Sequence, residues 1–226
     1  MSGFKDHFSS HAADYAAFRP QWPPELFNWL SGQVCSRDLA WDCATGNGQA
    51  AQALAAHFRQ VIATDASGNQ IQQALPGKNI DYRVELAEKS SLADNSVDLI
   101  VVAQAIHWFE LGAFLAEADR VMRPGGLLAI GAYQLPGVND AVNEVIRYLW
   151  GQILAAWWPP ERGLVDRGLE GLVLPWPDLD LPVFEITAHW SMPELLDYLG
   201  TWSSVRRYQE NKGENPLDSI AGKLNK

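Results

Sequence analysis

Leu39-Ala40-Trp41-Asp42-Cys43-Ala44-Thr45-Gly46-Asn47-Gly48 runs from an apolar strand into a glycine turn, and Asp65 follows 23 residues after Asp42 at the end of a second apolar run. A strand, a glycine turn, a helix and a second strand ending in an acid form the arrangement that holds an adenosine ribose. Two glycines let the backbone touch the ligand, and the acid takes its hydroxyls. The chain is therefore expected to bind a nucleoside cofactor.

Outward from this stretch the pattern alternates. Leu39 to Cys43 reads as strand one, Gly48 to Phe58 as an alanine-rich helix, Val61 to Asp65 as strand two, and Asn69 to Ala74 as part of the next helix. Further strands are expected at Ile80 to Val84, at Val97 to Ala103, and at Gly126 to Ala132 after the turn Arg123-Pro124-Gly125-Gly126. Short apolar strands separated by helices require right-handed crossovers and a parallel sheet covered on both faces, an α/β doubly wound, Rossmann-like fold. Upstream, residues 10–32 read as two short helices broken at Arg19-Pro20-Gln21-Trp22-Pro23-Pro24, since proline starts helices but interrupts their interiors. Val183 to Trp190 reads as a sixth strand, Pro193 to Gln209 as one helix, and the polar tail from Glu210 as frayed.

At 226 residues one domain is expected, with capping helices at 1–32, a cofactor-binding core at 36–135, a helical lid inserted at 136–182 and a closing strand and helix at 183–226. The lid assignment rests on Trp157-Trp158-Pro159-Pro160 and Pro175-Trp176-Pro177, which break the strand–helix rhythm. Met1 to Phe8 has neither a basic nor an apolar targeting region, and no run of about 18 uninterrupted apolar residues occurs, so a soluble cytoplasmic protein away from the membrane is expected. Cys35 and Cys43 lack metal-ligand spacing, so no metal is expected, and a reduced compartment suits them. A net charge of -10 repels phosphate backbones, which argues against nucleic acid as a partner. Ten tryptophans exceed what a core of this size needs, so some are expected to line a pocket.

The glycine turn alone leaves two cofactors open, because Gly46, Gly48 and Ala51 also satisfy the G-x-G-x-x-G/A pattern of NAD-dependent oxidoreductases. Asp42 weighs against the dinucleotide, because a free carboxylate beside the loop suits a cationic ligand better than a pyrophosphate. That favours S-adenosylmethionine. The stretch 39–48 resembles motif I of class I methyltransferases, with Asp65 at the motif II position and Asp98 opening strand four. Gln104-Ala105-Ile106-His107-Trp108-Phe109, with Tyr15-Ala16-Ala17-Phe18-Arg19-Pro20 and Thr201-Trp202-Ser203-Ser204-Val205-Arg206, is similar to the trans-aconitate methyltransferase-like group acting on small molecules.

The resemblance implies a role at each matching position. Asp42 would meet the methionine amino group, Gly46 and Gly48 would lie along the methionine and ribose, and Asp65 would accept the ribose hydroxyls. Ser67, Ala87 and Glu88 would surround the adenine, while Gln104 and Ala105 would approach the methionine end. Ala44 replaces the family's first glycine, so either the turn keeps a negative φ there or the methyl group crowds the cofactor. The family's last, antiparallel strand lies between strands five and six. No apolar run after Gln209 supplies it, so the sheet is expected to lack that strand. Val183 to Trp190 would then shift inward, remain an edge or pair with another chain, leaving a monomer or weak homodimer.

On the acceptor side, Tyr15 and Arg19 are four apart and share a helix face, and an arginine fork suits a carboxylate. In the family this segment closes over the cofactor. With His107, which follows strand four, they are the candidates for the chemistry. Trp108, Tyr133, Trp202 and Arg206 are candidates for the acceptor pocket, with Trp150, Trp157, Trp158 and Trp176 as further walls. The expected reaction is methyl transfer to a small organic acid. An oxidoreductase or a degenerate, non-catalytic cofactor binder is the alternative.

Overall fold

The computed structural model describes residues 19–224; Tyr15 and the N-terminal segment before Arg19 lie outside the described residues. Five strands, β1 (Leu39–Cys43), β2 (Gln60–Asp65), β3 (Ile80–Val84), β4 (Val97–Ala103) and β5 (Met122–Gly131), form one sheet in the order β3-β2-β1-β4-β5. All four pairings are parallel. The chain runs outward from β1 to β3 and then returns to β4 on the other side of β1. A crevice opens at such a reversal, outside the carboxyl ends of the strands. Here it lies between the loops that leave β1 and β4.

Side-chain alternation along β1 divides the core. Ala40 faces helices α1 (Pro24–Gln33) and α2 (Gln49–Leu54), packing with Phe27, Leu30, Ala50, Ala51, Leu54 and Leu99. Small residues at Ala50 and Ala51 let α2 approach the sheet closely beneath the glycine loop. Trp41 and Cys43 face the other side, with Ile100 and with Phe114, Ala118 and Val121 of α4 (Leu111–Val121). The Trp41 indole is fully buried and donates to Thr64 Oγ1 at 2.9 Å, which satisfies its one polar atom. The short helix α3 (Gly68–Gln72) links β2 to β3.

A third cluster holds the later part of the chain. Helix α5 (Asp140–Tyr148), the π turn Leu149–Ile153, and helices α7 (Met192–Gly200), α8 (Ser203–Lys212) and α9 (Asp218–Leu224) pack around Ile146, Leu149, Leu199, Trp202, Val205 and Ile220. Between them, the 3₁₀ turn Pro160–Arg162 and the short helix α6 (Gly163–Asp166) lead to Leu164, Leu169, Leu172 and Trp176, which settle on the sheet core.

Several expectations are corrected. Strand five begins at Met122 rather than Gly126, and its ladder with β4 shifts register between Val97 and Leu99. Pro124 is tolerated because β5 is an edge strand, where a missing N–H breaks no outer ladder. Val183 to Trp190 joins no ladder among the described residues. Its alternation survives as half-buried Phe184, Ile186 and Trp190, but these dock on helices: Phe184 lies 6.1 Å from Trp29 and Trp190 stacks on Tyr198 at 4.8 Å. The late helix breaks at Thr201 and Trp202, where the Thr201 hydroxyl donates to the Tyr198 carbonyl at 2.7 Å. The tail is not frayed, because Leu217, Ile220 and Leu224 bury one stripe of α9 in the third cluster.

Candidate active site

The loop leaving β1 turns through left-handed conformations at Ala44, Gly46 and Gly48, with φ of +57°, +58° and +90°. The negative φ considered for Ala44 is not adopted; an L-residue there carries about 1–2 kcal/mol of strain that glycine would avoid. Gly48 is fixed twice, by its φ and because a Cβ would collide with the Tyr82 hydroxyl from β3. Asp65 closes the loop from β2. Its Oδ2 accepts from the Gly46 amide at 2.9 Å and its Oδ1 from the Ser67 amide at 2.8 Å. The Ser67 hydroxyl then caps α3, accepting from the Gln70 amide at 3.4 Å.

Asp42 is 1% exposed. The Thr45 hydroxyl donates to its Oδ2 at 2.5 Å, while Oδ1 has no hydrogen-bond partner among the described residues. Burial pushes this carboxyl up to about 7, against the opposing pull of the Thr45 hydroxyl and the Ala51 amide. An acceptor atom therefore waits unsatisfied at the head of the glycine loop.

Asp42, Ala44 and Gly46 line a cleft with Thr45, Asn47, Gln49, Gln104, Tyr133, Arg19 and Trp22. Gln104 adopts φ +58° and donates from Nε2 to the Tyr133 carbonyl at 2.9 Å, joining the ends of β4 and β5. Arg19 donates to the Tyr133 hydroxyl at 3.1 Å and to the Thr201 carbonyl at 3.4 Å, and lies 5.7 Å from the Tyr198 ring centre. Arg19 thus links the cleft to the helical cluster. Ala87 is buried and Glu88 half-buried at the tip of a turn closed by Leu86 and Lys89, and Glu88 accepts from the Glu110 amide at 2.9 Å. Ala105 starts the 3₁₀ turn Ile106–Trp108.

His107 and Trp108 do not line the cleft. Their turn packs against Pro160–Arg162 and α6. The rings of His107 and Trp108 are 4.5 Å apart, and His107 Nδ1 is buried with no hydrogen-bond partner among the described residues. Burial, with the nearby Arg162 charge, lowers this imidazole to about 4, so it is neutral at pH 7.

Trp202, expected at the acceptor, is 2% exposed and sits in the helical core, 5.4 Å from Trp158 and 6.1 Å from Tyr198. As the residue preceding α8, it puts its indole into the bundle, while Arg206 lies half-buried on α8. Trp150 and Trp158 pack within the same cluster, Trp157 meets Tyr208 at 5.6 Å, and Trp176 packs on the sheet core. No cluster of metal-ligating side chains occurs among the described residues, and no helix among them is long and apolar enough to cross a membrane. The sequence reading missed Thr45, Trp22 and Tyr82. A hydroxyl between Asp42 and Gly46 was the one legible signal.

A shallow surface depression of about 490 Å³ lies among Arg59, Gln60, Lys78, Asn79, Ile80 and Asp81. It opens at the amino ends of β2 and β3, away from the glycine loop, where the topology places no ligand crevice.

Residues 41–130 match the methyltransferase domain family. A Dictyostelium discoideum protein named as a methyltransferase is 33% identical over 221 residues, covering 96% of this chain and 84% of that protein. The chain belongs to the methyltransferase family. A solved structure described as a type II methyltransferase from Anaeromyxobacter dehalogenans is 43% identical and superposes with a TM-score of 0.85, covering 92% of this chain and 88% of the other. A structure described as an S-adenosyl-L-methionine-dependent methyltransferase from Methanococcus maripaludis, 21% identical with a TM-score of 0.52, shares the fold over 70% of this chain and 77% of its own length. The all-parallel sheet flanked by helices is the Rossmann-like fold of class I methyltransferases, and the family does not favour the oxidoreductase alternative.

Proposed function

We propose that this methyltransferase moves the methyl group of S-adenosylmethionine to a small organic acid. The observation that carries the cofactor reading is Asp42, whose buried Oδ1 lacks a partner beside a loop kept bare by Gly46 and Gly48. That atom suits the ammonium of a methionine moiety. Ionised beside a cation, the carboxyl would regain the interaction that burial denies it. Asp65 accepts the Gly46 and Ser67 amides at the end of β2, and a carboxylate at that strand end is the kind of group that takes ribose hydroxyls. Ser67, Ala87 and Glu88 would border the adenine, and Ala44, Gly48, Gln104 and Ala105 would follow the methionine end.

When bound, the cofactor supplies an electrophilic methyl on a sulfonium. The protein's part is then to aim an acceptor oxygen at that methyl and to exclude water. A carboxylate is ionised at pH 7 and needs no base, so His107, lowered by burial to about 4 and therefore a weak base, has no proton to take. Arg19, fixed by Tyr133 and Thr201, would orient the acid, with Tyr15, Trp108, Arg206 and the lid shaping its path. The chain would work as one domain, a cytoplasmic monomer or weak homodimer; its free, buried Cys43 suits a reducing compartment. The test is methyl transfer from radiolabelled S-adenosylmethionine to succinate, glutarate, citrate and trans-aconitate. Labelled ester is expected from at least one acid. Cofactor binding with label in none of them would instead support the degenerate, non-catalytic reading.

A further inference from the structure

Arg162 belongs to none of the sequence segments that suggested the reaction, yet its guanidinium is held by both a carboxylate and an indole face. Its Nε donates to Asp166 Oδ1 at 2.9 Å, and its guanidinium lies 4.2 Å from the centre of the Trp158 ring. That ring is itself anchored, because its indole N–H donates to the Trp150 carbonyl at 3.1 Å and its face meets Trp202 in the helical core. The side chain is only 19% exposed, and neither Nη has a hydrogen-bond partner among the described residues. A guanidinium half withdrawn from water and held by one nitrogen leaves the two-nitrogen edge that carboxylates bind.

The surroundings specify the ligand. The Pro160–Arg162 turn packs on the turn that carries His107, whose buried Nδ1 is also unsatisfied. The charged groups here include Glu161, Arg162, Asp166 and Arg167, the last with its Nη1 beside Gly163. At His107 the charges of Arg162 and Glu161 act in opposite directions, and burial is the main reason the imidazole is neutral. An uncharged imidazole and an open guanidinium edge, bordered by Trp108 and Trp158, favour an anion with an apolar body over a cation.

We propose that Arg162 is a specificity-determining residue of the lid, binding a carboxylate of the acceptor through its free Nη edge while His107 contacts the same ligand. The proposal rests on the methyltransferase reading and deepens it by naming an acid anchor on the Pro160–Arg162 turn. A purely structural Arg162 would serve only to clamp Asp166 and Trp158.

The test is calorimetric titration of the full chain, saturated with S-adenosylhomocysteine, with succinate, glutarate and citrate. At least one acid is expected to bind. Arg162→Met, which keeps an apolar stem against Trp158, should weaken it about tenfold or more, and Arg162→Lys should weaken it less. Asp166→Asn, which removes the clamp but keeps the guanidinium, should cost no more than about threefold. S-adenosylhomocysteine affinity and the near-ultraviolet tryptophan spectrum should be unchanged in all three variants. Equal losses in Asp166→Asn and Arg162→Met would make the arginine structural and overturn the proposal. So would unaltered acid binding in Arg162→Met, or no acid binding by wild type that holds S-adenosylhomocysteine. Wild type that fails to bind S-adenosylhomocysteine contradicts the underlying reading, and the proposal falls with it.

Discussion

Two aspartates lie buried on neighbouring strands, at opposite ends of the sheet and in opposite states. Asp98, near the amino end of β4, is 3% exposed; its Oδ2 accepts from the Asp38 and Leu39 amides at 2.9 Å each, and its Oδ1 accepts from Arg123 at 2.8 Å. Asp42, at the carboxyl end of β1, has one oxygen on Thr45 and the other unpartnered among the described residues. The first carboxylate is saturated and joins the starts of β1, β4 and β5. The second is costly to leave as it stands, which is the expected state of a group awaiting a ligand. Both aspartates fall in apolar strands; what separates them in the sequence is the glycine turn that follows Asp42 and not Asp98.

Removing each carboxylate should separate stability from binding. Asp98→Ala strands two amides and a guanidinium and should lower unfolding free energy by about 3 kcal/mol, read by chemical denaturation. Asp42→Asn should instead leave stability within about 1 kcal/mol of wild type and weaken S-adenosylhomocysteine binding about tenfold or more, equivalent to about 1.4 kcal/mol. Equal stability losses in the two variants would erase the contrast.

The pH dependence sharpens it. Asp42 titrates near 7 in the folded protein, above its ordinary value of 3.8, so the folded state binds more protons between those two points. Its contribution to stability is therefore full below about pH 4 and declines as pH rises through 7. Affinity for a cationic ligand should rise over the same interval, and Asp42→Asn should flatten both trends. Glu117 behaves oppositely. Hydrogen bonds from Arg120, with further ones from Ser90, hold it down to about 2, so its contribution is full above its ordinary 4.5 and is lost as pH falls towards 2. Denaturation curves across pH 3–8 for wild type, Asp42→Asn and Glu117→Gln would show slopes of opposite sign. The smallest expected effect is that of Ala44→Gly, which relieves the left-handed strain and should add up to about 1 kcal/mol of stability without weakening the cofactor. A loss of stability there would mean the methyl group packs usefully.

The sheet was largely legible because β1, β2 and β4 are short apolar runs ended by turn residues, and β3 and β4 keep their expected bounds. The glycine loop was legible for the same local reason. Val183 to Trp190 misled because period-two burial reports which side chains face inward, not whether a neighbouring strand exists; Phe184 and Trp190 satisfy it on helices. Trp202 misled because four-residue spacing to Arg206 identifies a shared helical face only inside a helix, and a helix boundary falls there. Arg162 was overlooked because its significance depends on Trp158 and His107, which only the fold brings near it.

The most direct test of the central claim is calorimetry of S-adenosylhomocysteine binding at pH 7, in two buffers of different ionisation enthalpy, for wild type and Asp42→Asn. Saturable binding with proton release in wild type, and weaker binding without that release in the variant, is the predicted result. Equal affinity and equal proton uptake in the two proteins would contradict the assignment of Asp42 to the cofactor's cationic end.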